Sequence, residues 1–145
     1  MPETPFTNLI RVRYHETDPQ RFVFNSRYLE YADVSMAEYF RHLGWSYPEL
    51  LQLAFDPSVV KSTLEFLKPA YLDDVIEVEV SCDRVGTASF TLVFTLTVQG
   101  ESISRIENVY VNVDSEAAGS RPIPQKIAER MRDSALVTTT KTGIR

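Results

Sequence analysis

Apolar positions along the chain change period several times, and each change marks an element. In Phe6–Tyr14 the alternate residues Ile10, Val12 and Tyr14 are apolar, the period of two of a half-buried strand. From Ser26 the step lengthens: Leu29, Ala32, Met36, Phe40 and Leu43 recur every three or four residues, one stripe of an amphipathic helix. Asn25 or Ser26 is the expected N-cap, since either side chain can accept from an orphan amide of the first turn. Gly44 sits where a C-terminal cap belongs. Tyr28, Tyr31, Tyr39 and Phe40 spread aromatic surface over the helix, which predicts a sheet wrapped around it. A short helix is expected at Pro48–Leu53, after which four strand-like runs follow: Val59–Leu67, Val75–Cys82, Ala88–Val98 and Ser102–Val113. The third alternates most cleanly, with Ala88, Phe90, Leu92, Phe94, Leu96 and Val98 on one face, and so predicts a central strand. The fourth slips phase near Arg105-Ile106, which points to a bulge or a twist. Val85-Gly86-Thr87 and Gln99-Gly100-Glu101 have the length and composition of hairpin turns.

A closing helix is expected over Pro122–Arg132. The order is strand, long helix, four strands in meander, short helix, which predicts an α+β domain with a five-stranded antiparallel sheet. Residues 1–133 read as one domain and residues 134–145 as a flexible polar tail.

Composition narrows the function classes. A formal charge of −5 and no basic stripe argue against a nucleic-acid partner, because phosphate binding needs clustered Lys and Arg. No apolar run approaches the ~20 residues that span a bilayer, and the first residues have no apolar signal core, so no membrane partner and a cytoplasmic location are expected. Cys82 is the only cysteine, and no Cys/His cluster has zinc spacing, so no metal and no cofactor are expected.

Three stretches then converge. Val12-Arg-Tyr-His-Glu-Thr-Asp18, with Val23-Phe-Asn25 and Tyr28-Leu29-Glu30-Tyr31, resembles the hotdog-fold acyl-CoA thioesterases of the hydroxybenzoyl-CoA thioesterase type. Leu64-Glu-Phe-Leu-Lys-Pro69-Ala-Tyr-Leu-Asp73-Asp74 and Val111-Asn-Val113-Asp114 with Pro122-Ile-Pro124 are similar to later parts of the same family. The resemblance implies the hotdog fold, in which the five-stranded sheet wraps one long central helix. It further implies hydrolysis of an acyl-CoA to free acid and coenzyme A, and subunits joined edge to edge as a homodimer or as a dimer of dimers (a homotetramer). Asp18 takes the position of the family's catalytic aspartate. The chain departs from the family at Arg21, where glycine is usual, and at Phe22, where histidine is frequent; glycine at the first would permit a positive φ.

Thioester hydrolysis requires a base or nucleophile at the carbonyl carbon and donors at the oxygen where charge develops. Asp18 supplies the carboxylate in either role. The backbone amides of Asn25 and Ser26, at the start of the long helix, supply donors backed by the helix dipole. Tyr28 and Tyr31 are candidates for an acyl or aryl pocket, Arg21 borders it, and Lys68 and Arg84 are candidates for the phosphates of coenzyme A, with Arg105 a further cation. His15 is read as a strand-end side chain, Glu16 as solvated and Cys82 as a structural thiol. Two other classes remain open at this point: a non-catalytic acyl-CoA binding module, and a hotdog hydratase or dehydratase.

Overall fold

The computed structural model describes residues 5–143, with side chains through Ala135. The elements are β1 (Phe6–Arg11), a single 3₁₀ turn (Tyr14–Glu16), α1 (Arg27–Leu43), α2 (Tyr47–Gln52), β2 (Pro57–Phe66), β3 (Val75–Val85), β4 (Ser89–Val98), β5 (Glu101–Asp114), β6 (Gly119–Ser120) and α3 (Gln125–Gly143). The sheet is antiparallel in the order β1-β3-β4-β5-β2, with β6 paired to the end of β5. It curls around α1 in the hotdog arrangement, and β4 is the middle strand, as its unbroken apolar face predicts. Phe90, Leu92, Phe94 and Leu96 are fully buried beneath the helix, together with Ile76, Val78, Ile106 and Tyr110. The aromatic residues of α1 find the cover they require: Phe40 meets Phe55 at 5.3 Å and Phe90 at 5.9 Å, and Phe90 stacks on Tyr110 at 4.9 Å.

Several expectations are corrected. The last four strands are not a simple meander. Strands β3, β4 and β5 are consecutive hairpins, but β2 lies on the far side of β5, so the connection 67–74 crosses the sheet from one edge toward the other. The first strand ends at Arg11, and Tyr14 opens the 3₁₀ turn with 82% of its surface exposed rather than joining a buried face. Leu29 is exposed; the buried stripe of α1 runs instead through Tyr28, Tyr31, Ala32, Ser35, Tyr39, Phe40 and Leu43. The bulge in β5 falls at Ile103, two residues earlier than expected: Leu96 pairs with Ser104 and Thr97 with Ser102, leaving consecutive Ile103 and Ser104 both buried.

Other features are as read. Gln99 (φ 51°) and Gly100 (φ 82°) form a two-residue turn with positive φ at both positions, the type I′ geometry whose twist suits a hairpin. Gly44 takes φ 120° and its amide closes α1 on the carbonyls of Phe40 and Arg41. The backbone of α3 continues past Arg132 to Gly143, whereas the side chains of 136–143 and all of 144–145 in the expected tail lie outside the described residues. Among the described residues no helix is long and apolar enough to cross a membrane.

Candidate active site

The segment from Val12 to Ser26 is a folded-back hairpin rather than a loose loop. Val12 anchors its start, donating to the Asp74 carbonyl at 2.9 Å and accepting from the Asp73 amide at 3.1 Å. The chain then doubles back: Thr17 bridges Val23, the Asp18 amide donates to the Phe22 carbonyl at 3.1 Å, and the Phe24 amide donates to the Glu16 carbonyl at 3.0 Å. The outer arm is stitched in turn to the β2–β3 connection, where Val23 donates to the Ala70 carbonyl at 2.9 Å and Phe22 bridges Tyr71. Two of the three stretches noted in the sequence therefore meet here as one substructure.

The turn of this hairpin is Asp18–Phe22. Asp18 Oδ1 accepts from the Gln20 amide at 2.8 Å, the turn bond expected of Asp before Pro19. Arg21 occupies φ 74°, the left-handed conformation expected at a position where glycine is usual. Tyr14, His15, Thr17, Asp18, Pro19, Arg21, Tyr71 and Leu72 line a groove of ≈ 670 Å³. The Asp18 carboxyl and the Arg21 side chain thus share one groove with the exposed aromatic Tyr71 as its wall.

The antiparallel pairing also brings the start of α1 beside the Asp18 arm, because Phe24 lies opposite Glu16 and Asn25 follows directly. Ser26 is not a side-chain cap: its φ of −69° and ψ of −20° are already helical, and its hydroxyl accepts no capping bond. The first turn is closed by backbone instead, with Arg27, Tyr28 and Leu29 amides donating to the carbonyls of Phe24, Asn25 and Ser26 at 2.9, 3.3 and 3.3 Å. Among the described residues the amides of Asn25 and Ser26 donate to no protein acceptor, and both residues are exposed. An uncapped helix start of this kind presents open N–H groups and positive partial charge. Arg27 braces it, with Nη2 3.3 Å from the His15 carbonyl and Nη1 3.0 Å from Glu30.

Under the groove lies a group that the sequence reading placed wrongly. Glu16 is fully buried, not solvated. Its carboxylate accepts from the Arg13 amide at 2.8 Å, from Arg13 Nε at 3.0 Å and from the Tyr31 hydroxyl at 2.9 Å. Burial alone would push this carboxyl above its ordinary range, but the bonds from Arg13 and Tyr31 outweigh it and hold the acid below that range. Burial, and after it the bond to the Glu16 carboxylate, pushes the Tyr31 phenol upward. An acid three residues after the start of a short turn, bonding back to the first amide, is the reciprocal half of a capping box; that spacing in Arg13-Tyr-His-Glu16 was the available signal.

The remaining candidates are placed as follows. Tyr28 is buried in the core, edge-on to Tyr31 at 5.8 Å and to Phe66 at 5.3 Å, and burial raises its phenol. Lys68 pairs with Glu101 in a smaller groove of ≈ 330 Å³, which shares Tyr71 with the Asp18 groove. Arg84 lies near the opposite end of β3 from Val75, about 30 Å away at the ~3.3 Å rise of a strand, and bonds to Ser89 Oγ at 3.3 Å. Within one chain it is not brought to Asp18. Arg105 faces Glu107 on the outer sheet surface. His15 is exposed on the 3₁₀ turn and lines the groove. Cys82 is buried and its thiol is pushed up to about 11, chiefly by burial, which makes it a structural thiol.

With this geometry in view, the comparisons with known proteins are decisive at the level of the family. The family model described as the thioesterase-like superfamily matches residues 12–131. The chain belongs to that superfamily. The matched span begins at Val12, the first anchor of the hairpin, and ends in α3. Among superfamily relatives, the acyl-CoA thioester hydrolase YbgC of Escherichia coli is 27% identical over 135 residues, covering 91% of this chain and 99% of that protein. A thioesterase from Thermus thermophilus, solved with coenzyme A and Zn, is 26% identical with a TM-score of 0.78 and covers 93% of this chain and 97% of its own. A gentisyl-coenzyme A thioesterase, at 23% identity, TM-score 0.78 and coverage of 88% and 99%, adds support for the fold alone.

Proposed function

We propose that the protein is an acyl-CoA thioesterase, hydrolysing a thioester to free acid and coenzyme A, with Asp18 as nucleophile or general base. The observation that carries this reading is the hairpin, which holds a half-buried carboxylate in an open groove on one arm and runs on the other into a helix start with two unbonded amides. A thioester carbonyl seated between them has its oxygen toward the Asn25 and Ser26 amides and its carbon toward Asp18. With Asp18 as base, water adds to that carbon, the C–S bond breaks and the thiol leaves with the proton taken from water. With Asp18 as nucleophile, acyl transfer to its carboxylate breaks the C–S bond and releases the thiol, and water then hydrolyses the acyl–carboxylate anhydride to free acid and Asp18. The amides stabilise the oxyanion, a contribution of ~3–4 kcal/mol for one well-placed donor. Membership of the superfamily and the names of the relatives favour this chemistry over water elimination or simple binding.

Arg21, in the groove, and Lys68, in the adjoining one, are assigned to the phosphates of coenzyme A, with Tyr28 beneath the acyl end. Arg84 reaches substrate only across a subunit boundary. Strand β2 is assigned as the joining edge of a homodimer, itself able to pair into a dimer of dimers. One side of β2 is bonded to β5, and its residues are mostly exposed, Val60 and Phe66 at 59% and 50%.

Thiol release from a panel of short-chain, long-chain and aryl acyl-CoAs tests the reading. The unmodified chain is expected to hydrolyse at least one, and Asp18→Asn to lose roughly a hundredfold or more in kcat, the scale seen when charge stabilisation or the attacking group is removed. Release that survives Asp18→Asn removes the mechanism; no release from any substrate favours a binding module, and product of water elimination favours a lyase.

A further inference from the structure

The reacting groups named above are held by few bonds of their own. The Asp18 side chain takes one, from Gln20, and Asn25 and Ser26 are exposed. Their relative position must be set from below, and one residue touches both arms of the hairpin. The Glu16 carbonyl receives the Phe24 amide, the last bond before Asn25. The Glu16 carboxylate receives Arg13 from the start of its own 3₁₀ turn and Tyr31 from the second turn of α1. Asp18 follows two residues later. Five bonds, from Arg13, Phe24 and Tyr31, therefore meet at a single buried side chain and its own carbonyl.

We propose that Glu16 is a positioning residue of the hydrolytic site: gripped by Arg13 and Tyr31, its carboxylate sets the spacing between Asp18 and the Asn25–Ser26 amides. The proposal rests on the thioesterase reading above. A fully buried carboxylate is a poor device for stability alone, since apolar groups of similar volume often serve as well or better. Its use here is directional. Tyr31 is a fully buried anchor, edge-on to Tyr28, which is edge-on to Phe66. Bonds to it transmit the position of α1, and so of the amides at its start, to the arm that carries Asp18. Glutamine at position 16 would keep the shape but replace one acceptor oxygen with a donor NH₂. The amide oxygen can keep the bonds from the Arg13 amide and Tyr31, but the NH₂ then faces the Arg13 guanidinium, so that pair breaks and one side of the grip is lost.

The test uses the full chain with Glu16→Gln and Tyr31→Phe, assayed for thiol release on three acyl-CoAs of different acyl type, with the folded fraction measured by circular dichroism under assay conditions. Expected for Glu16→Gln is a loss of roughly ten- to a hundredfold in kcat per folded molecule, the scale of a misplacement of about 1 Å, with KM within about twofold. The factor should be the same for every acyl group, and Tyr31→Phe should show the same pattern with a smaller loss. Unchanged kcat overturns the proposal. So does a loss that tracks the unfolded fraction, or one that varies with acyl group while KM rises, since both describe a disturbed pocket rather than a displaced carboxylate. If Glu16→Gln does not fold, Tyr31→Phe is judged by the same criteria. An unmodified chain inactive on every acyl-CoA refutes the thioesterase reading and this proposal with it; an active chain indifferent to Glu16→Gln refutes the positioning role alone.

Discussion

The hairpin of residues 12–26 and the first two turns of α1 beside it form a floor and a rim, which obey different rules although residues of both classes alternate along the hairpin. Val12, Glu16, Val23, Tyr28 and Tyr31 form the floor and are almost wholly buried. Tyr14, His15, Pro19 and Arg21 form the rim and are exposed, with Asp18 half-buried between them. Glu16 and Asp18, two carboxylates two residues apart, stand on opposite sides of this division. The first is saturated with donors and serves geometry. The second has one backbone bond and spare lone pairs, the state a reacting carboxylate requires. Closeness in sequence thus says little about role; the pairing of each residue across the hairpin decides it.

The sharpest contrast is in stability. Tyr31→Ala in the floor removes a buried ring and one of the donors to Glu16, and is expected to cost about 3–5 kcal/mol by urea unfolding, the range for large-to-small core changes. Glu16→Gln should cost about 1.5–3 kcal/mol at neutral pH, the worth of hydrogen bonds to a charged group. This loss carries a pH signature. The Glu16 carboxyl is held below its ordinary 4.5 in the folded chain, so its stabilisation is complete above that value and fades as pH falls through the lower, folded one. The gap between native and Glu16→Gln stability should therefore narrow as unfolding is measured at successively lower pH, and a constant gap would place Glu16 in the rim class.

Smaller effects are expected along the rim. Arg21→Gly relieves a left-handed backbone, whose cost for an L side chain is roughly 1–2 kcal/mol, while adding unfolded-state entropy. A net gain of up to ~1 kcal/mol in unfolding free energy is expected. Asp18→Asn keeps an oxygen to accept from Gln20 and should leave stability within ~0.5 kcal/mol, as at other surface positions. A rim substitution that destabilised the chain as much as Tyr31→Ala would erase the distinction.

Legibility followed the same division. The start and end of α1, the alternation of β4 and the turn at Gln99-Gly100 could be read because each depends on residues a few positions apart. Arg21 stands where the family resemblance, not local sequence, implies glycine, and it does take positive φ. The Arg13–Glu16 capping box was local and so legible in principle, but the burial of Glu16 was not, because it requires the Tyr31 hydroxyl from α1 and the Phe24 amide from across the hairpin. Leu29 fits the helical stripe yet is exposed, since the sheet covers only the side of α1 centred on Tyr28, Ala32 and Tyr39.

By itself, then, the sequence determined the elements, their local conformations and a short stretch rich in chemistry, because periodicity and backbone preference are properties of neighbours. Strand order, with β2 carried past β5, and the sorting of Glu16 from Asp18 belonged to the tertiary structure. Both depend on which distant backbone groups are left without partners after the sheet has closed around the helix, and that is settled only when the whole chain has folded.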